Sequence, residues 1–178
     1  RGSSALNDGV ELVNAAVIQT TSGSITIDGS STEGTDGVHF GDAGTMVTTA
    51  IGSITIDGTA TDGDGIDIEG AAVVSSTGAA AGNIEITGTT NTSNEAGVKV
   101  EASGTQITSV SGDIVLVGMN ATDAGVVLFD EAAVSSTGTG AGAATISITG
   151  TGGDIGILLQ GMNTIVTSVD GNISLDGT

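Results

Sequence analysis

The stretch Asp62-Gly63-Asp64-Gly65-Ile66-Asp67 sets three carboxylates close together with glycines between them. Hard oxygen ligands on a chain that turns freely at glycine are what a calcium ion takes. The stretch partly matches the calcium nonapeptide Gly-Gly-x-Gly-x-Asp-x-U-x, which makes Asp62, Asp64 and Asp67 the candidate calcium ligands. Two features oppose that chemistry. The nonapeptide works in tandem but occurs here once, and its short period conflicts with the longer one described below. Asp8, Asp36, Asp64, Glu95 and Asp123 recur ahead of similar segments, with Asp154 slightly displaced. Such acids read most simply as solvated turn residues that keep the chain soluble and blunt its edges. The expectation is therefore no cofactor, with calcium as the one candidate.

His39 is the single histidine and lies between Val38 and Phe40. Strand alternation points it outward, between Glu11 and Asp67 on neighbouring segments with Lys99 beyond, in a solvated ladder of charges. A general base needs a reacting group in reach and a stabiliser of developing charge, and neither accompanies it. Thr48, Ser75, Thr108, Ser135 and Thr167 form an outward hydroxyl ladder of the kind that binds ice, but no regular second column accompanies it. One outward patch is apolar. Val127 and Phe129 point outward by alternation and Leu158 follows one coil later, in a strand whose other outward residues are Glu11, His39, Asp67 and Lys99, which marks a candidate contact surface unless Phe129 merely shields a corner.

The elements that carry these residues follow from composition and spacing. The chain has 178 residues, 31 of them Gly, no Pro, Cys, Trp or Tyr, and a net charge of −19. Hydrophobic residues still make up 38%, mainly Ile, Val and Ala, more than an acidic disordered chain would hold. Arg1 and Lys99 are the only basic residues apart from His39, which excludes a phosphate-binding surface for nucleic acid and attraction to anionic membranes. No apolar run is long enough to span a bilayer, and no Gly-Lys-Ser/Thr phosphate loop occurs. Absence of Cys removes disulfides and thiolate metal sites.

Gly23-Ser-Ile-Thr-Ile-Asp-Gly29 is repeated without change at Gly52 to Gly58, and variants begin at Gly82, Gly112, Ala144 and Gly171. The first Ile of each copy, Ile25, Ile54, Ile84, Ile114, Ile146 and Ile173, is spaced by 29, 30, 30, 32 and 27 residues. A second segment follows in each unit (GVEL, GVHF, GIDI, GVKV, GVVL, GILL), then a third (AVIQTT, TMVTTA, AVVSST, TQITSV, AAVSST, TIVTSV). Alternate residues of all three segments are apolar or small in every unit, so each segment is a strand with one buried face. Three such faces repeated at a constant period predict an all-β parallel β-helix, right-handed, with three strands per coil, about 30 residues per coil and five to six coils. At the strand spacing this makes a rod about 25 Å long. The closing glycines are expected to turn the chain at the corners, some with positive φ. Residues 1–4 read as a tag remnant, and 5–178 as a single β-helix domain cut from a longer array.

The pattern GxITIxGT…GVxLxxAxVTTxxG resembles the haemagglutinin-like repeats of very large bacterial exoproteins, the filamentous-haemagglutinin-like and autotransporter-type surface adhesins. The resemblance runs from about Ala5 to Thr178. It implies the structural rod or stalk of a secreted or surface-displayed adhesin, located outside the cell or on the bacterial surface. Host, cell-surface or glycan partners would be met through the full-length protein, with end-to-end self-stacking as a further contact. The alternative is a binding module whose own surface touches a glycan, a protein or another copy. Calcium-binding or ice-binding solenoids are lesser alternatives. β-Helical enzymes that cut polysaccharides use basic residues against acidic sugars or paired acids beside aromatic platforms; this composition offers neither, so no enzyme is expected.

Overall fold

The computed structural model describes residues 1–178. Its strands are β1 (Gly2–Ser4), β2 (Val10–Leu12), β3 (Val17–Thr20), β4 (Ile25–Ser31), β5 (Val38–Phe40), β6 (Met46–Thr49), β7 (Ile54–Ala60), β8 (Ile66–Ile68), β9 (Val73–Ser76), β10 (Ile84–Thr90), β11 (Ala96–Glu101), β12 (Gln106–Ser109), β13 (Ile114–Asn120), β14 (Ala124–Phe129), β15 (Ala133–Ser136), β16 (Ile146–Gly152), β17 (Ile155–Gln160), β18 (Ile165–Ser168) and β19 (Ile173–Gly177). The first sheet holds β1, β4, β7, β10, β13, β16 and β19. The second holds β2, β5, β8, β11, β14 and β17, and the third β3, β6, β9, β12, β15 and β18. All pairings are parallel. The chain visits the sheets in rotation, which makes a β-solenoid of about 6 turns, each of about 29 residues and three strands. No helix is long and apolar enough to cross a membrane.

The registers stack like on like. Ile25, Ile54, Ile84, Ile114, Ile146 and Ile173 form one column of the first sheet. Val10, Val38, Ile66, Val98, Val126 and Ile157 form one of the second, and Ile18, Val47, Val74, Ile107, Val134 and Val166 one of the third. Their central members are fully buried in one continuous core with Phe40, Leu116 and Leu128. Small residues widen or narrow that core where the corner demands it: Ala72, Thr105 and Ala132 stand at equivalent places and are all buried. In the last coil Leu159, Ile173 and Leu175 are exposed.

Two expectations change. The closing glycines of the repeated heptapeptide do not turn the chain. Gly29 and Gly58 lie inside β4 and β7 and have no positive φ. A Cβ at Gly29 would stand 2.1 Å from the carbonyl oxygen of Gly37, and one at Gly58 2.0 Å from that of Gly65. Glycine is needed there because the first sheet packs backbone to backbone on the start of the second. Most left-handed conformations fall instead between the second and third strands of a coil, as at Asp42 (φ 71°) and Gly44 (φ 90°). Residues 1–4 also take part in the fold. Gly2–Ser4 pairs with Gly29–Ser31, and Arg1 Nε lies 2.9 Å from Asp28 Oδ2. The pairing follows from sequence likeness, since Arg1-Gly-Ser-Ser4 repeats the close of Asp28-Gly-Ser-Ser31.

Candidate functional site

The outward face of the second sheet gathers most of the chain's unusual chemistry. Its central column runs Glu11, His39, Asp67, Lys99, Val127, Leu158, in the expected order. The same column is charged in the early coils and apolar in the late ones.

The charged part is less solvated than alternation alone suggests. Asp64 is 2% exposed and Asp67 7%. Both turn toward Lys99, whose Nζ lies 3.4 Å from Asp64 Oδ2, 3.3 Å from Asp67 Oδ2 and 3.0 Å from Glu101 Oε1. Outward positions are thus buried where the Lys99 ammonium and its carboxylate partners close on one another. One ammonium facing several acids does not neutralise them all. Burial pushes Asp67 up to about 8, with Asp64 adding repulsion and Lys99 pulling it back. Burial likewise pushes Asp36 up to about 6 and Glu95 up to about 7, each reinforced by the charge of Asp64. Asp64 itself is raised by burial against the opposing pull of Lys99. Lys99 is held well above its ordinary range by Asp67 and Asp64, which outweigh the effect of its burial.

The acids at the corner before the second sheet form two columns rather than one. The Asp36 N–H donates to Asp8 Oδ1 at 2.9 Å, the Asp64 N–H to Asp36 Oδ1 at 2.8 Å, and the Ala96 N–H to Asp64 Oδ1 at 2.5 Å. Ala96 then pairs with Ala124, and Ala124 with Ile155. Asp8, Asp36 and Asp64 therefore share a column, while Glu95, Asp123 and Asp154 lie one residue earlier in the next three coils. Asp154 stays in step with Asp123, and its N–H donates to the Asp123 carbonyl at 3.3 Å. The displacement is visible in the sequence as Asp-Gly in the first three units against Glu-Ala-Gly, Asp-Ala-Gly and Asp-Ile-Gly in the last three.

The candidate calcium ligands do not converge. Asp62 is exposed on the corner, while Asp64 and Asp67 are buried and spend an oxygen each on Lys99. The groups whose ligand atoms do lie within 4.8 Å of one another are Asp8, Glu11 and His39, and His39, Asp67 and Glu69. Glu69, which completes the second trio, stands two residues after Asp67 and so also points outward by alternation, at the place that Glu101, Phe129 and Gln160 hold in later coils; that alternation is the signal that could have marked it. His39 Nε2 lies 3.2 Å from Glu69 Oε1, and Nδ1 3.5 Å from Asp8 Oδ2. Hydrogen bonding to Glu69 and the nearby acids raise the His39 imidazole above its ordinary value, against the opposing effect of its burial.

The apolar part forms a groove. Val127, Phe129 and Leu158, half-buried, line a hollow of about 260 Å³ with Lys99, Glu101 and Ile155. Phe129 also borders a wider hollow of about 650 Å³ closed by Glu131, Gln160 and Met162. On the third sheet Thr48, Ser75, Thr108, Ser135 and Thr167 form one column as expected. Thr48 and Ser75 bond to each other at 2.8 Å and are buried. No protein-family model, curated protein or solved structure matches the chain.

Proposed function

We propose that this chain is a structural rod segment of a secreted or surface-displayed adhesin-like repeat protein. The observation that carries the reading is the uninterrupted stacking of apolar inward columns through all three sheets. Such a core resists bending and holds whatever lies beyond it at a set distance, each coil contacting only its neighbours. The likeness of the repeated GSITIDG unit to haemagglutinin-like repeats supports the same role and an extracellular setting. The chain of 178 residues is expected to give no saturable signal on a glycan array or with host cells. Clear, saturable binding in either assay overturns the spacer reading.

A second reading has its own support. The groove at Val127, Phe129 and Leu158 offers apolar side chains beside a lysine, a composition suited to a contact surface on a glycan or protein. In that case binding appears in the same assays and is lost in Phe129→Ser.

A further inference from the structure

We propose that His39, Glu69 and Asp67 form a binding site for one divalent transition-metal ion of the zinc class, with Asp8 orienting the imidazole. One ligand atom from each of the three residues lies within 4.8 Å of the other two. Two ligands at zinc distances on a tetrahedral ion stand about 3.3 Å apart. His39 Nε2 and Glu69 Oε1 are already 3.2 Å apart.

Asp67 supplies a second and independent sign. It is 7% exposed, and its Oδ1 is buried with no hydrogen-bond partner. A buried polar atom left unpaired is costly and calls for a partner. Lys99, on β11 to one side of β8, takes Oδ2. On the other side of β8 lies β5, where His39 is the ladder neighbour of Asp67. Oδ1 is the oxygen that remains for an ion held between Asp67, His39 and Glu69.

The imidazole is arranged as metal-bound histidines are. Its Nδ1 faces the Asp8 carboxylate at 3.5 Å, which favours a proton on that nitrogen once an ion replaces the Nε2 hydrogen bond to Glu69. Asp8 is itself fixed, since its Oδ1 accepts the Asp36 N–H. The alternative trio would use the exposed Glu11 and the Asp8 that already serves the backbone. Ligand type sets the metal. Calcium takes six or more oxygens, whereas one imidazole with two carboxylates suits zinc and its neighbours. The His39 and Glu69 side chains are 18% and 40% exposed, so an ion enters from solvent and a water completes its shell. Binding displaces any proton on Nε2 or on the Asp67 carboxyl into solvent.

The chain has one histidine, so its ring resonances report on this site without background. Titration with zinc chloride should shift them with a stoichiometry of one and raise the melting temperature. Calcium chloride in large excess should leave them unmoved. Cobalt(II) should give the visible absorption of a site with a nitrogen ligand. His39→Gln and Glu69→Gln should each weaken zinc binding by about tenfold or more. Asp8→Asn keeps an acceptor for the Asp36 N–H, so the metal-free melting temperature should hold. Affinity should still fall about 10- to 100-fold, with a changed ring tautomer in nitrogen-15 spectra. Zinc that leaves the imidazole resonances untouched in the unaltered protein overturns the site. So does His39→Gln binding zinc as tightly as the parent, which would mark diffuse attraction to carboxylates.

Discussion

The first three coils and the last three build the second sheet in different ways on one core. β2, β5 and β8 have three residues each, whereas β11, β14 and β17 have six. In the early coils an aspartate just before the glycine caps the next coil's backbone N–H with its side chain. In the late coils Ala96, Ala124 and Ile155 occupy that place and extend the strand, so the backbone ladder replaces the carboxylate. Outward residues change at the same seam, from Glu11, His39 and Asp67 to Val127 and Leu158, with Lys99 at the join. The inward columns pass through unchanged. A solenoid core thus leaves its outer face free to vary coil by coil, and the variation concentrates where one inserted residue alters how a corner is closed.

The largest effect that sharpens the contrast is expected at the join. Lys99→Met leaves Asp64 and Asp67 buried without their cation, and should cost about 3 kcal/mol by denaturant unfolding above about pH 8, where Asp67 has lost its proton. Val127→Met, the next rung of the same column, should cost less than about 1 kcal/mol. Equal costs for the two would erase the distinction between the halves.

The next effect is in pH. Six of the seven groups with displaced pKa values, Asp36, His39, Asp64, Asp67, Glu95 and Lys99, lie on or beside the charged coils; Asp57 on the first sheet is the exception. Asp36 at about 6, Glu95 at about 7 and Asp67 at about 8 all hold protons in the folded chain that the unfolded chain has released. Their stabilising contribution is present toward the unfolded carboxylate range and is lost as pH rises through those values. The raised His39 acts in the same direction, its contribution complete below its ordinary pKa and lost on the alkaline side. The melting temperature should therefore fall between about pH 5 and pH 8, and amide exchange should speed first in β5 and β8 rather than in β14 and β17. A melting temperature that climbs over that range contradicts the buried-acid account. The smallest effect belongs to the apolar coils: Phe129→Thr should change stability by less than about 1 kcal/mol, since the ring is only half-buried.

The architecture was legible because stacking is written as repetition. Ile25 and Ile54 stand in identical heptapeptides, and every inward column follows from aligning the units. The site was legible only in part. The order Glu11, His39, Asp67, Lys99 came from alternation, but the burial of Asp67 did not, because it depends on Lys99, Asp64 and Glu101 gathering around it from neighbouring positions. Glu69 lies two residues past Asp67 in the same alternation, but nothing in the sequence shows that the His39 ring reaches across to it. The role of Gly29 and Gly58 was misjudged for a related reason. A glycine needed for close approach and one needed for a left-handed turn look alike in a sequence.

That close approach constrains how such a molecule can change over generations. With carbonyl oxygens lying where a side chain would otherwise begin, these glycine positions cannot accept even a methyl group, although the corner beside them takes an extra residue in the later coils. Growth has two larger channels. Whole coils can be duplicated, lengthening the stack in steps of about 29 residues. Loops at the far corner can swell one residue at a time, as they do from Gly78 to Gly82 and around Gly140–Gly142. Length and ornament can be inherited separately, while the cross-section stays the same.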